Sequence, residues 1–282
     1  MTPKRQVATV RLRRLAGEIR RAREALEMSR EAVTQQTRIN EATLYRIETA
    51  KVKPQKRTLS TLLDLYDIGE PRRSELMALL SESSKQGWLQ PYFDDFREVY
   101  SSYISFEAES TTIYNYESLF IPGLLQTEDY ARSVIKATIP TATKRQVEDR
   151  VKARLDRQAR WRERGAPALW AVFDEAAIRR EVGGPSVMRR QIEHLLTLME
   201  EPHITLQVIA YAAGAHAGMP GSFVVMEFDS DVPELVYLDS MAGDLFLDAD
   251  ADLRRYRLLF DNVRASALGP SQTADLLASA LG

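Results

Sequence analysis

The chain runs to 282 residues, 44 % of them apolar and 28 % charged, the balance of a folded globular protein with about two domains. It has no cysteine, which excludes a disulfide framework and a thiolate-bound metal. The opening MTPKRQVATVRLRRL is basic but leads into no apolar core, which argues against a secretory signal, and no stretch approaches the ~18 apolar residues of a membrane span; the expected location is cytoplasmic, off the membrane.

The net charge of −2 hides an asymmetry. Residues 1–57 carry 15 Lys and Arg against 6 Asp and Glu, a net of +9, and the rest of the chain is net −11. A basic head on an acidic body suits a nucleic-acid reader, and it equally suits a basic solvated helix ahead of an ordinary acidic domain. The motifs decide between the two.

A first helix is expected over Leu12–Leu26, with Leu15, Ile19, Ala22 and Leu26 forming one apolar stripe and Arg13, Arg14, Arg20, Arg21 and Arg23 on the other faces. Ser29 reads as an N-cap, with Met28 and Val33 placed for a hydrophobic staple, and opens a short second helix over Arg30–Thr37. The pattern repeats with Ile39, the cap Asn40 and Leu44, and a third helix is expected over Glu41–Thr49. Its inward residues are Leu44 and Ile47; Glu41, Ala42, Tyr45, Arg46 and Thr49 face outward. Two short capped helices joined by a tight turn form a helix-turn-helix pattern. Lys51, Lys53, Lys56 and Arg57 then crowd one loop around Pro54. Thr58 reads as the cap of a fourth helix carrying Leu59, Leu62, Leu63 and Tyr66, and Pro71 as the start of a fifth carrying Leu76, Leu79 and Leu80.

The stretch MSREAVTQQTRINEATLYRIETAKVKPQKRTLSTLLDLY resembles the Xre, or lambda-repressor-like, helix-turn-helix family over roughly residues 12–80. It departs from that pattern at Arg38, where the turn usually holds a glycine, and at Thr34, usually an alanine-like position. The resemblance implies that the third helix enters the major groove, with Asn40, Glu41, Ala42, Tyr45 and Arg46 against base edges and Arg30 near the backbone. Arg46 is the strongest candidate, because a guanidinium bonds both acceptors of guanine and no acid stands three or four residues away; the bland alternative is a solvated surface charge. Glu41 suits a hydrogen bond from cytosine, and equally well complements the helix dipole. Ala42 suits a thymine methyl. Lys51, Lys53, Lys56 and Arg57 would hold phosphates, which position the protein without specifying sequence. The resemblance also implies a structural ion pair between Glu48 and Arg23. One such headpiece buries only ~600–1,000 Å² on DNA, so a homodimer on an inverted-repeat operator is expected.

From Gly87-Trp88 the composition changes. The aromatics Tyr92, Phe93, Phe96, Tyr100, Tyr103 and Phe106 lie in a helix expected over Pro91–Ala108, fit for core packing, a dimer interface or, less simply, a stacked ligand. Strands are expected at Thr112–Ile121, Leu169–Phe173, Thr205–Ile209, Ser222–Phe228 and Leu235–Asp239. Helices are expected from Thr127, over 141–164 with Val147, Val151 and Leu155 inward, and at Glu175–Val182, Ser186–Glu200, Asp250–Ala265 and Ser271–Ala280. The fold class is therefore a mainly α, five-helix helix-turn-helix domain over residues 1–85, followed by an α+β domain with one mixed sheet over 86–282 for sensing, dimerisation or partner binding.

The combination YISFEAES, IPGLLQTEDYAR, LWAVFDEAAIRREVGG, MRRQIEHLL and ITLQVIAYAAGAHAGMPGSFVVMEF resembles the C-terminal domain of unknown function of actinobacterial WhiJ-like regulators. That resemblance implies a repressor or activator of development or specialised metabolism, controlled by a small acidic partner protein encoded nearby in an antitoxin-like arrangement. A small-molecule effector is the alternative input.

Other features point nowhere firm. Asp248, Asp250 and Asp252 lack the glycine of a calcium loop and suit a helix N-terminus better. His194, His203 and His216 are not spaced as metal ligands. The GAHAGMPG segment around His216 lacks a P-loop's Lys-Ser/Thr, and reads as a long hairpin or as a flexible loop over a pocket mouth. Glu175, Arg179 and Arg180, on one helix at spacings of four and five, line a polar pocket or pair on the surface. No nucleophile–base pair or cofactor motif stands out, so no enzyme, cofactor or metal is expected.

Overall fold

The computed structural model describes residues 8–82, 98–163, 167–229, 232–239 and 244–281. The chain divides into two compact units, residues 1–90 with 228–233, and the remainder. The expected boundary at 85/86 lies outside the described residues, as do Gly87, Trp88, Tyr92, Phe93 and Phe96.

The first unit is five helices: α1 (Val10–Ala25), α2 (Arg30–Thr37), α3 (Glu41–Glu48), α4 (Lys56–Leu65) and α5 (Arg72–Glu82). Side-chain caps set three of the starts. Thr9 Oγ1 accepts from Leu12 N, Ser29 Oγ from Ala32 N and Asn40 Oδ1 from Ala42 N, at 3.2, 3.1 and 2.9 Å, each satisfying an orphan amide of the first turn. The apolar stripes meet in one core, with Leu15, Ile19, Val33, Leu44, Ile47, Leu59, Leu62, Leu63 and Leu76 buried and the staple residues Met28 and Ile39 packed against it. Three expectations need correcting. Leu26 is the C-cap of α1 and is 48 % exposed, because the helix ends before its stripe can carry it inward. Helix α4 begins at Lys56 behind Gln55, not behind Thr58, so Lys56 and Arg57 occupy its first turn instead of the loop. Pro71 precedes α5 and does not start it.

The four helices α1–α4 all close through a non-glycine residue in the left-handed region: Glu27 (φ 52°), Arg38 (62°), Ala50 (54°) and Asp67 (53°). For α1, α3 and α4 the closure is a six-to-one hydrogen bond, from Met28 N to Arg23 O, Lys51 N to Arg46 O and Ile68 N to Leu63 O, at 3.2, 2.8 and 2.9 Å. Each such residue costs about 1 kcal/mol relative to glycine.

The second unit is α+β. In order it contains α6 (Glu98–Glu109), β1 (Thr112–Glu117), α7 (Glu128–Thr138), α8 (Lys144–Glu163), β2 (Ala168–Asp174), α9 (Ala176–Arg179), α10 (Pro185–Leu198), β3 (Ile204–Ile209), β4 (Phe223–Glu227), β5 (Leu235–Leu238), β6 (Leu245–Leu247), α11 (Asp250–Ser266) and α12 (Pro270–Ser279). The six strands form one mixed sheet in the order β3-β2-β1-β4-β5-β6. β1, β2 and β3 run parallel, with helices in the crossovers such pairs require, and the β1–β4, β4–β5 and β5–β6 pairs are antiparallel. The strand expected to reach Ile121 stops at Glu117: Ser118 N turns to Ser222 Oγ at 3.1 Å, and a short 3₁₀ turn over Gly123–Leu125 follows. β6 escapes a sequence reading because three residues are too few to show alternation.

Both faces of β1 are covered, and its alternation sorts them. Tyr114 and Tyr116 face a core shared with Val225, Val236 and, from α11, Phe260 and Val263. Ile113, Asn115 and Glu117 face the other way, toward a cavity. Tyr103 of α6 stacks on Tyr237 of β5 with ring centres 4.2 Å apart, and Phe106 meets Phe246 edge-on at 5.1 Å, so these two aromatics pack the core.

Candidate functional site

In the first unit, α3 buries Leu44, Ile47 and Glu48 and leaves Glu41, Ala42, Tyr45 and Arg46 exposed. Arg46 Nη2 lies 3.5 Å from Thr43 Oγ1, and among the described residues Arg46 forms no ion pair. Tyr45 stands between two cations, the Arg30 guanidinium 5.3 Å and the Lys51 ammonium 4.8 Å from its ring centre. Asn40 gives its side-chain oxygen to the α3 cap, so what it can offer a ligand is the Nδ2 donor pair. Lys51, Lys53, Lys56 and Arg57 are all exposed, around a buried Pro54.

Glu48 holds this face in place. Its side chain is wholly buried and takes Arg23 Nε at 2.6 Å, Arg23 Nη2 at 3.2 Å and Arg30 Nε at 2.7 Å. Arg23 Nη1 adds a bond to Met28 O at 2.8 Å. The pair foreseen in the sequence is thus a triad tying α1, α2 and α3, and Arg30, foreseen as a backbone contact, is bonded into it. The hydrogen bond from Arg23 to Glu48 holds the guanidinium's pKa above its ordinary value. Beside the triad the Tyr66 hydroxyl is buried with no hydrogen-bond partner among the described residues, and burial raises its pKa, with the Glu48 charge adding to the rise.

In the second unit, Glu175, Arg179 and His216 gather around the loop after β3. Glu175 Oε1 accepts from Arg179 Nε at 2.9 Å and Oε2 from Tyr211 N at 2.8 Å. His216 Nδ1 accepts from Gly218 N at 3.2 Å, and its Nε2 lies 3.4 Å from Asp174 Oδ2. They bind the loop down. Asp250 and Asp252 lie in the first turn of α11. Among the described residues no group of three or more His, Asp or Glu is arranged to hold a metal ion, and no helix is long and apolar enough to cross a membrane.

The cavity of this unit lies elsewhere, against the opposite face of β1. Its volume is about 280 Å³, and α6, α8, β1, the 121–126 segment and the end of β5 contribute to its wall. Arg157 Nε and Nη2 each bond Glu107 at 2.5 Å, both side chains nearly fully buried, and Tyr103 Oη donates to Glu107 Oε2 at 3.0 Å. Arg154 Nη1 bonds Gln126 Oε1 at 2.6 Å. A Cβ on Gly123 would come within 3.3 Å of Arg157 Nη1, so the glycine makes room for this guanidinium. Burial pushes Glu117 up to about 7, with Asp239 adding to the rise and Ser222, Asn115 and Arg154 opposing it. The sequence does not show this wall, although IPGLLQTEDYAR is among the segments that carry the resemblance. Its role is legible only in the clasp around it, from Gln126 Nε2 to Ile121 O, Gln158 Nε2 to Gly123 O, Gln191 Nε2 to Leu125 O and Ile121 N to Tyr130 Oη. A signal for the wall existed: Asn115 and Glu117 are polar residues two apart in a strand with aromatic neighbours.

Five helices, three of them with side-chain caps, an exposed third helix and a basic flank define a DNA-binding helix-turn-helix regulator, and residues 14–76 match the model of a helix-turn-helix domain family. The chain belongs to the family of the domain of unknown function DUF5753, whose model matches residues 100–279. The order of the two domains is that of an Xre-like regulator with a C-terminal domain of unknown function. No curated protein and no solved structure matches the chain.

Proposed function

We propose that this protein regulates transcription by reading an inverted-repeat operator as a homodimer, with a small-molecule effector bound in the cavity of the second unit as its input. The carrying observation is the α3 face: four exposed side chains, Glu41, Ala42, Tyr45 and Arg46, backed by the buried Glu48 triad. Arg46 reads guanine, Ala42 a thymine methyl, Glu41 cytosine and Asn40 a base acceptor through Nδ2. Arg30, Lys51 and Lys53 bind phosphates. Lys56 and Arg57 in the first turn of α4 oppose that helix's dipole, and a phosphate at this terminus relieves the repulsion. The cavity favours a small molecule over the small partner protein that the sequence resemblance implies.

The test is binding of the full chain to its own promoter across a salt series, beside Arg46→Ala. Specific binding in the wild type, weakened roughly tenfold to a hundredfold in the variant with an unchanged salt slope, is expected. Absence of binding to any DNA at low salt refutes the reading. Light scattering with operator present should show two chains per site, and one chain removes the dimer.

A further inference from the structure

We propose that the cavity of the second unit binds a small organic ammonium, a molecule with one protonated amine and an apolar body. This rests on the reading of that unit as an effector domain and gives the effector a chemistry.

The first observation is an orphan. Asn115 is 5 % exposed and lines the cavity, and among the described residues its Oδ1 has no hydrogen-bond partner. A buried amide oxygen left unpaired costs about 1–3 kcal/mol, and a ligand donor there recovers it. The second is the surrounding charge. Glu107 and Arg157 cancel one another in their double hydrogen bond. Glu117, two residues along the same strand face, and Asp239 at the end of β5 then stand against the single cation Arg154. One negative charge is left over. Arg154 Nε also lacks a partner, but an anion drawn to it would share the cavity with Glu117 and Asp239. An ammonium offers three donors and meets three acceptors, Asn115 Oδ1 and the carboxylates of Glu117 and Asp239. The third observation is the apolar share of the wall. Ile113, Leu124, Val134 and Leu169 line it, and the stacked Tyr103 and Tyr237 present aromatic surface, which attracts cations. At 280 Å³ the space suits a ligand of on the order of ten heavy atoms.

Ammonium binding needs Glu117 ionised. With its pKa near 7, affinity rises through neutral pH, roughly tenfold from pH 6 to pH 8, and the bound cation in turn favours the carboxylate.

The experiment is calorimetric titration of the full chain, without DNA, at pH 8, with phenethylamine, 2-phenylethanol and phenylacetate. The amine should bind at least tenfold more tightly than the neutral alcohol or the acid. Glu117→Gln should weaken the amine at least tenfold and abolish its pH dependence while circular dichroism and Tm match the wild type; if that variant misfolds, Asp239→Asn, at the exposed rim, should weaken the amine at least tenfold and keep the pH dependence that Glu117 confers. Absence of amine binding at millimolar concentration, equal binding of all three probes, preference for phenylacetate, or folded variants that bind the amine as well as wild type each overturn the proposal. Promoter affinity with and without phenethylamine separates the two readings: binding that leaves DNA affinity unchanged keeps the site and removes the effector role.

Discussion

In the first unit the Glu48 carboxylate is closed by three N–H donors from two arginines; in the second, the Glu107–Arg157 pair is just as buried but forms the wall of a cavity. The groups are the same carboxylate and guanidinium, and their neighbours differ. Around Glu48 the chain supplies every partner of the triad, so its work is to fix α1, α2 and α3 behind the exposed α3 face. Around Glu107 lie an unpaired Asn115 oxygen and two further carboxylates, so the pair braces a wall whose remaining groups face the cavity. Burial of charge alone does not tell scaffold from site. An unpaired group beside the charge does not either, since the Tyr66 hydroxyl lies next to Glu48; the cavity against which Asn115, Glu117 and Asp239 stand does.

The comparison is broken most severely at Glu48. Glu48→Gln leaves Arg23 and Arg30 without their charge partner in a packed interior, and a loss of about 3–5 kcal/mol in urea unfolding is expected, with DNA binding lost alongside. Glu107→Gln should cost less, about 2 kcal/mol, because the freed Arg157 borders a cavity large enough for water; an equal or larger loss would mean that the two ion pairs are alike after all. The smallest effect sharpens the headpiece side. Arg38→Gly relieves about 1 kcal/mol of left-handed strain but gives the unfolded chain more freedom, so a net gain of about 0.5 kcal/mol is expected in the urea midpoint, against no gain if the side chain stabilises the turn.

The exposed α3 face was legible because it is local. Ser29 and Asn40 cap where their sequence spacing says, and the position of Leu44 and Ile47 on a 3.6-residue period leaves Tyr45 and Arg46 outside. The helix ends were less legible, because Glu27, Arg38, Ala50 and Asp67 turn the chain where a glycine would have announced the stop. The cavity was legible only as a hint, the polar pair Asn115 and Glu117 on one face of a strand. The alternation of β1 separates Tyr114 and Tyr116 from Asn115 and Glu117, but it cannot say which helix covers either face.

By itself the sequence determined what repeats over one or two turns: five helices, two of them behind the caps Ser29 and Asn40, the alternating strands, the basic head and the side chains on the α3 face. Only the tertiary structure decided that Arg30 joins Arg23 on Glu48, that Glu175 and His216 bind down a loop, and that Glu107, Asn115, Glu117, Arg157 and Asp239 meet. Those meetings join residues as much as 132 positions apart along the chain. A hydrophobic period says which face of an element is buried; which two buried faces meet is settled by packing the whole domain at once.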